Sequence, residues 1–382
     1  MKRPRILINL NFKIQDFLNV IKTMTSMKKY QKMKLVKSWL NWREMENKIE
    51  FAALIAQMKK AQDQIFQLHG INDIFTSSKI FEILIASGLD HEVIPGQAGT
   101  ADATDPENRS MQFEYKHFKE LSSNHSWTFN DYSDSVIAKI DSKINSVFFC
   151  HIDDRTFPPV LDWYYELSGS EVAEYLRVKT PSIKNKRKMI NVSEKQLNEF
   201  FGEKGTLQRV DIKIDRDNPF PGKYAKELEA IFTSIKALED SLGLKNLLTS
   251  SKLWELIVAV EIDHFVNSEQ GGRSGAHDAF DSNGSWFEYK VEQTVGWSFQ
   301  DISDAVLDKY LELEAFILAV VDKPNFKVTE IYRVETIPLI NAIRHKRDQK
   351  AIDYEARGKE VRRDQVTVGK RELDLLKAQR IL

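Results

Sequence analysis

Three charged residues recur in one order at two places in the chain. They are Asp102, Glu114 and Lys116, and then Asp278, Glu288 and Lys290. Two carboxylates can bind a hard cation such as Mg²⁺, which prefers oxygen ligands and keeps several waters. A cation held this way polarises a phosphate oxygen and lowers the pKa of its bound water. The lysine can orient that water or stabilise the negative charge that builds on a phosphorane. All of this requires the three side chains to share one face.

The segments around them predict that they do. Ser282-Asn283-Gly284 is a hairpin turn signal. Pairing outward from Asn283 sets Asp278 opposite Glu288, and alternation along a strand puts Glu288 and Lys290 on one face. The earlier connection, Pro106–Ser110, is longer. Centring it on Asn108 sets Asp102 opposite Glu114, so the pairing survives the change in loop length. The same parity sends Asp105 and Asp281 to the other face, as turn or surface residues.

The recurrence extends well beyond the trio. Thr76-Ser77-Ser78-Lys79-Ile80-Phe81-Glu82 returns as Thr249-Ser250-Ser251-Lys252-Leu253-Trp254-Glu255. Asp90-His91 returns as Asp263-His264, Gln97 as Gln270, and Gly99 as Gly275. Phe113-Glu114-Tyr115-Lys116 returns as Phe287-Glu288-Tyr289-Lys290. The run from Trp127 to Asp134 returns from Trp297 to Asp304. Order is kept throughout, so the chain reads as an internal duplication. The expected organisation is a basic helical segment over 1–60, a first repeat over 61–217 and a second over 218–382. The boundary is placed at the turn-rich Asn218-Pro219-Phe220-Pro221-Gly222.

Each repeat reads as helix, hairpin, helix, strand. The Thr and Ser residues before Lys79 and Lys252 suit a helix N-cap. A second helix is predicted over 130–144 and 300–313, with Val136, Ile137 and Ile140 on its buried face. Continuous apolar runs, Ser146–Ile152 and Ala315–Val321, read as strands buried inside a sheet. The fold class is therefore α/β, with a mixed sheet flanked by helices in each repeat.

With these residues in place, Asp102…Glu114-Tyr115-Lys116 and Asp278…Glu288-Tyr289-Lys290 resemble the PD-(D/E)XK nuclease superfamily, which includes many type II restriction endonucleases. The resemblance implies two tandem restriction-endonuclease-like cores. It implies Mg²⁺, with Mn²⁺ as a substitute, held by Asp102 and Glu114 and by Asp278 and Glu288. The backbone carbonyls of Tyr115 and Tyr289 would assist, and Glu82 and Glu255 stand where a supporting helix glutamate is expected. Ala101 and His277 replace the proline of the motif.

Other repeated residues have two readings. His91 and His264 could touch a phosphate, but a structural hydrogen bond is the preferred reading. Trp127, Trp297, Phe129 and Phe299 could stack on bases, but core packing is preferred. Asp131 and Asp301 read as helix first-turn acids. Lys184, Lys186, Arg187 and Lys188 form a late basic cluster in the first repeat, and Arg362, Arg363, Lys370 and Arg371 form one in the second. Val192–Leu197 resembles Val368–Leu373, so these clusters flank one repeated element. They suit phosphate contacts, as does Arg273 in a glycine-rich loop beside the second trio.

Composition is compatible with this. The chain has 382 residues, 42% hydrophobic and 29% charged, as in ordinary globular proteins. Residues 1–60 hold fourteen Lys or Arg against four acids, so a net charge of −1 hides a +10 segment and a −11 remainder. The single cysteine, Cys150, excludes an intrachain disulfide, fits a cytoplasmic setting and reads as a small buried hydrophobe. No apolar run approaches the ~20 residues of a membrane span. The expected function is a Mg²⁺-dependent endonuclease that cuts both strands of duplex DNA as a monomeric pseudo-dimer. A repair or phage-defence nuclease with little sequence preference and a non-catalytic DNA-binding module remain as alternatives.

Overall fold

The computed structural model describes residues 48–382, except 73, 76–78, 96–100, 131–132, 184–188, 203–206, 216–217, 249–250, 268–276, 301, 359–360 and 362–363. Most of the basic N-terminal segment therefore lies outside the described residues. Its last part enters helix α1 (Lys48–His69). The described chain divides into two compact units, 57–234 and 235–382, the second grouped with 48–56. The division falls inside a helix (Ala225–Leu242). The turn expected to mark the boundary belongs to the first unit: Phe220 is buried, the Ser87 hydroxyl donates to the Pro221 carbonyl, and Tyr224 Oη accepts from Val93 N.

In the first unit, α2 (Lys79–Leu89) precedes β1 (Glu92–Val93), β2 (Ala103–Thr104), β3 (Gln112–Lys119) and β4 (Trp127–Phe129). Then come α3 (Asp134–Lys143), β5 (Ser146–Asp153), β6 (Val160–Ser168), α4 (Gly169–Lys179), β7 (Ile190–Val192), α5 (Glu194–Leu197) and β8 (Arg209–Asp211). Six strands form one sheet in the order β1-β2-β3-β5-β6-β8. Only β3 and β5 are parallel, joined across α3, and the other neighbours are antiparallel. β4 and β7 form a separate ribbon.

The second unit repeats this plan. α6 (Ala225–Leu242) leads into it, followed by α7 (Lys252–Glu261), β9 (Phe265–Val266), β10 (Ala279–Phe280), β11 (Trp286–Glu292) and β12 (Trp297–Gln300). α8 (Asp304–Lys309), β13 (Ala315–Asp322), β14 (Lys327–Glu335), α9 (Thr336–Ala356), β15 (Gln365–Val368), α10 (Lys370–Leu375) and β16 (Gln379–Arg380) complete it. The sheet order is β9-β10-β11-β13-β14-β16, again with one parallel pair, β11 with β13. β12 pairs with β15 as β4 does with β7. Each unit is thus a mixed sheet with helices.

The predicted strands match closely: β5 is buried from Val147 onward and β13 through Val321. The predicted helices start too early. Trp127–Phe129 and Trp297–Gln300 are ribbon strands, and α3 and α8 begin only after Ser133 and Ser303. α8 is also short, ending in a 3₁₀ turn at Tyr310–Glu312. Trp127 and Trp297 are fully buried, and their indole N–H groups donate to the Cys150 and Ala319 carbonyls at 2.9 and 2.8 Å. Both tryptophans are core residues, as are Phe129 and Phe299.

Candidate functional site

The hairpin registers bring the trio together in both units. Ala103 pairs with Phe113 and Ala279 with Phe287, which puts Asp102 opposite Glu114 and Asp278 opposite Glu288. The backbone N–H of Asp102 donates to the Phe113 carbonyl at 2.8 Å, and that of Asp278 to the Phe287 carbonyl at 3.0 Å. Each aspartate then turns its side chain to the facing strand. Asp102 Oδ2 accepts from Tyr115 N at 2.6 Å, and Asp278 Oδ2 from Tyr289 N at 2.7 Å. Lys116 Nζ donates to Glu114 Oε1 and Lys290 Nζ to Glu288 Oε1, both at 2.5 Å. Lys116 also reaches the Tyr115 carbonyl at 3.3 Å. The lysines lie 5.4 and 5.8 Å from the ring centres of Phe129 and Phe299, within cation–π range.

Asp105 and Asp281 take the other role, as the sequence suggests. Asp105 Oδ1 accepts from Glu107 N and Asn108 N, and Asp281 Oδ1 from Asn283 N and Ser285 N. They hold the hairpin turns, where Gly284 adopts φ +83°, a left-handed conformation suited to glycine.

The electrostatics are those of crowded like charges. Asp102 is raised well above the usual aspartate range by burial, then by Glu114 and Glu82, against Lys116 and the Tyr115 N–H. Asp278 is raised by burial, then by Glu255 and Glu288, against Lys290 and the Tyr289 N–H. Burial also raises Glu255, with Glu288 adding to the shift and Ser251, Lys290 and Lys252 opposing it. The helix glutamates therefore belong to the same charge clusters as the hairpin acids. Burial works against the charge of Lys290, but Glu288 and its neighbours outweigh it and raise its pKa.

The repeated histidines are structural. His91 Nδ1 and the Tyr115 hydroxyl are 2.8 Å apart, as are His264 Nδ1 and the Tyr289 hydroxyl. Burial lowers both histidines to about 4, so both are neutral near pH 7. Asp90 and Asp263 before them have φ +56° and +57°, and the histidine N–H groups donate to the Ala86 and Ala259 carbonyls. The Asp-His pair is thus a helix C-terminal cap with a side-chain clamp.

Three residues near the trio were not expected from sequence. Lys79 and Lys252 open α2 and α7, and Lys79 forms an ion pair with Glu82. Both lie inside the repeated Thr-Ser-Ser-Lys stretch, so their recurrence was visible although their position was not. The Tyr310 hydroxyl lies 3.3 Å from Glu288 Oε1, and Ile140 stands at the corresponding place in the first repeat.

Of the expected phosphate contacts, Lys184, Lys186, Arg187, Lys188, Arg273, Arg362 and Arg363 lie outside the described residues. So do Asp131 and Asp301. Lys370 and Arg371 are exposed in the first turn of α10. That helix follows β15 as α5 follows β7, so the sequence match between these segments reflects one structural element.

The donor set suits a hard divalent cation, since carboxylate and carbonyl oxygens are its usual ligands. Glu255 Oε2 is buried without a hydrogen bond. Among the described residues no three acids or histidines stand in ligating geometry, and in each site the strand lysine occupies one glutamate oxygen. Among the described residues no helix is long and apolar enough to cross a membrane. No family model and no curated protein matches the chain.

Proposed function

We propose that the chain is a Mg²⁺-dependent endonuclease with one active site in each unit. One observation carries this reading: an Asp, a Glu and a Lys are assembled twice, by the same hairpin register, next to a third carboxylate from a helix. The PD-(D/E)XK resemblance supports it, and restriction-endonuclease-like cores follow from that resemblance. Asp102, Glu114 and the Tyr115 carbonyl would hold the ion in the first unit, and Asp278, Glu288 and the Tyr289 carbonyl in the second. When bound, the ion supplies Lewis-acid stabilisation of the phosphate and a more acidic water.

The chain's own residues do the rest. Asp102 and Asp278 are fixed by the tyrosine N–H groups, so each presents its other oxygen in a set direction. Lys116 and Lys290 stand beside the glutamates, where an ammonium can hold a water or meet charge developing on a phosphate oxygen. Phe129 and Phe299 cover these lysines from the core side. Duplex DNA is the substrate in this reading, each unit cuts one strand, and a single chain suffices. The exposed Lys370 and Arg371 are suited to the phosphate backbone.

The test is incubation of the purified protein with supercoiled plasmid, with Mg²⁺, with Mn²⁺, and with excess EDTA. Nicked and linear products that require the cation are expected. Cleavage undiminished by EDTA refutes the metal site, and plasmid binding without cleavage under all conditions leaves a DNA-binding module.

A further inference from the structure

Each carboxylate cluster contains a second lysine, and the trio does not account for it. Lys79 is only 5% exposed and sits at the first residue of α2. This is a poor place for an ammonium. Burial removes its hydration, and the first turn of a helix carries partial positive charge. The charge is offset by Glu82, one turn on, with which Lys79 forms an ion pair. Lys252 occupies the same position of α7, where its charged neighbours are Glu255, Asp278 and Glu239. The residues between lysine and glutamate changed, from Ile80-Phe81 to Leu253-Trp254, while the lysine and glutamate stayed.

Each site therefore holds three carboxylates and two ammonium groups. One ammonium comes from the strand, beside the hairpin glutamate, and the other from the helix, beside the supporting glutamate. We infer that Lys79 and Lys252 are resident counter-cations of the two sites. Each places a fixed positive charge inside the carboxylate cluster and opposes the incoming divalent cation, so that it sets the site's metal affinity. This rests on the metal-site reading above. A positive charge inside a poorly screened carboxylate cluster weakens the binding of a further cation there. Loss of the ammonium should therefore tighten the site.

The experiment is a Mn²⁺ titration of the full chain, by calorimetry and by electron paramagnetic resonance, without DNA at pH 7.5. Two Mn²⁺ are expected on the wild type. Lys79→Met should leave two sites and tighten one of them about tenfold, and Lys252→Met should tighten the other. Lys79→Arg, which keeps the charge, should stay within about twofold of wild type. Unchanged or weaker binding in the Met variants overturns the inference, because the lysines would then only place the glutamates. If one Met variant fails to fold, the other decides. If both fail, the lysines are structural pins and the inference falls. A wild type that takes up no Mn²⁺ removes the metal site itself, whereas two bound ions with unshifted Met variants remove only the role of the lysines.

Discussion

Asp278→Asn should stabilise the second unit when no divalent cation is present. The wild-type carboxylate is buried against Glu255 and Glu288, which together with burial raise its pKa well above the ordinary 3.8. Asparagine has nearly the same shape, and its carbonyl oxygen can keep the hydrogen bond that Tyr289 N now donates at 2.7 Å. Asparagine carries no charge and so escapes the burial and repulsion that the carboxylate meets. A like charge at ~6 Å and an effective dielectric of ~20 costs about 3 kcal/mol, and the attraction to Lys290 cancels one of the two. An amide N–H left poorly paired takes back about 1–2 kcal/mol. The net gain is about 1–2 kcal/mol, or a rise of roughly 2–8 °C in the unfolding transition of a unit this size.

Calorimetry of the full chain in EDTA reads the shift, and Asp102→Asn should do the same for the first unit. Saturating Mg²⁺ should reverse the order. A ligand at a hundred times its Kd stabilises the native state by about 2.7 kcal/mol, and only the wild-type site gains it. If Asp278→Asn instead lowers the transition in EDTA, the aspartate serves mainly to hold the hairpin, and its burial is structural.

Lys116→Ala and Lys290→Ala should each reduce cleavage by one unit about 10²–10³-fold, the range seen when a charge-stabilising donor is lost. Each should leave nicked circles, with strand-specific labels showing the two variants nicking opposite strands. A single variant that linearises plasmid at the wild-type rate would make that unit non-catalytic. Stability should also depend on His91 and His264, which titrate at about 4 when folded, against an ordinary 6.5. Between these values the unfolded chain binds more protons, so stability is full above about 6.5 and falls as the pH drops through about 4. After discounting for partial exposure the loss is about 1–2 kcal/mol per histidine. Urea unfolding at several pH values measures it, and His91→Gln with His264→Gln should flatten the dependence. An unchanged slope would mean that other groups carry it.

The hairpin register was legible because two independent signals constrain it. The turn residues give a centre, and the duplication shows which pairing survives a change in loop length. Strands β5 and β13 were legible as long apolar runs, since a strand buried on both faces has little room for polar residues. The helix starts were not. Ser133 and Ser303 are the N-caps, but Trp127–Phe129 and Trp297–Gln300 are bound into ribbons by β7 and β15, more than sixty residues later in the chain. Local periodicity does not contain that pairing. Asn218–Gly222 is a turn in sequence, and its tie to Ser87 through Pro221 is a long-range contact that local composition does not contain. Tyr310 could not be found by comparing repeats, since only one of them has it.

The duplication also separates site from scaffold, though not as simply as retained polar residues against drifting apolar ones. Several retained polar residues have a complete structural explanation. Asp90 and Asp263 end helices in a left-handed conformation. Asp105 and Asp281 close hairpin turns. His91 and His264 each form a hydrogen bond with a tyrosine hydroxyl. In all of these the retained group lowers the energy of the fold. The set formed by Lys79, Glu82, Asp102, Glu114 and Lys116, and its counterpart Lys252, Glu255, Asp278, Glu288 and Lys290, behaves differently. Its members crowd like charges, and burial with the neighbouring carboxylates holds Asp102, Asp278 and Glu255 above their ordinary pKa values. A scaffold under selection for stability alone would replace such groups with apolar residues of similar volume, which are often neutral or stabilising in place of buried ion clusters. Their retention in both copies, at a cost to stability that Asp278→Asn can measure, is therefore the strongest argument that the two clusters exist for chemistry.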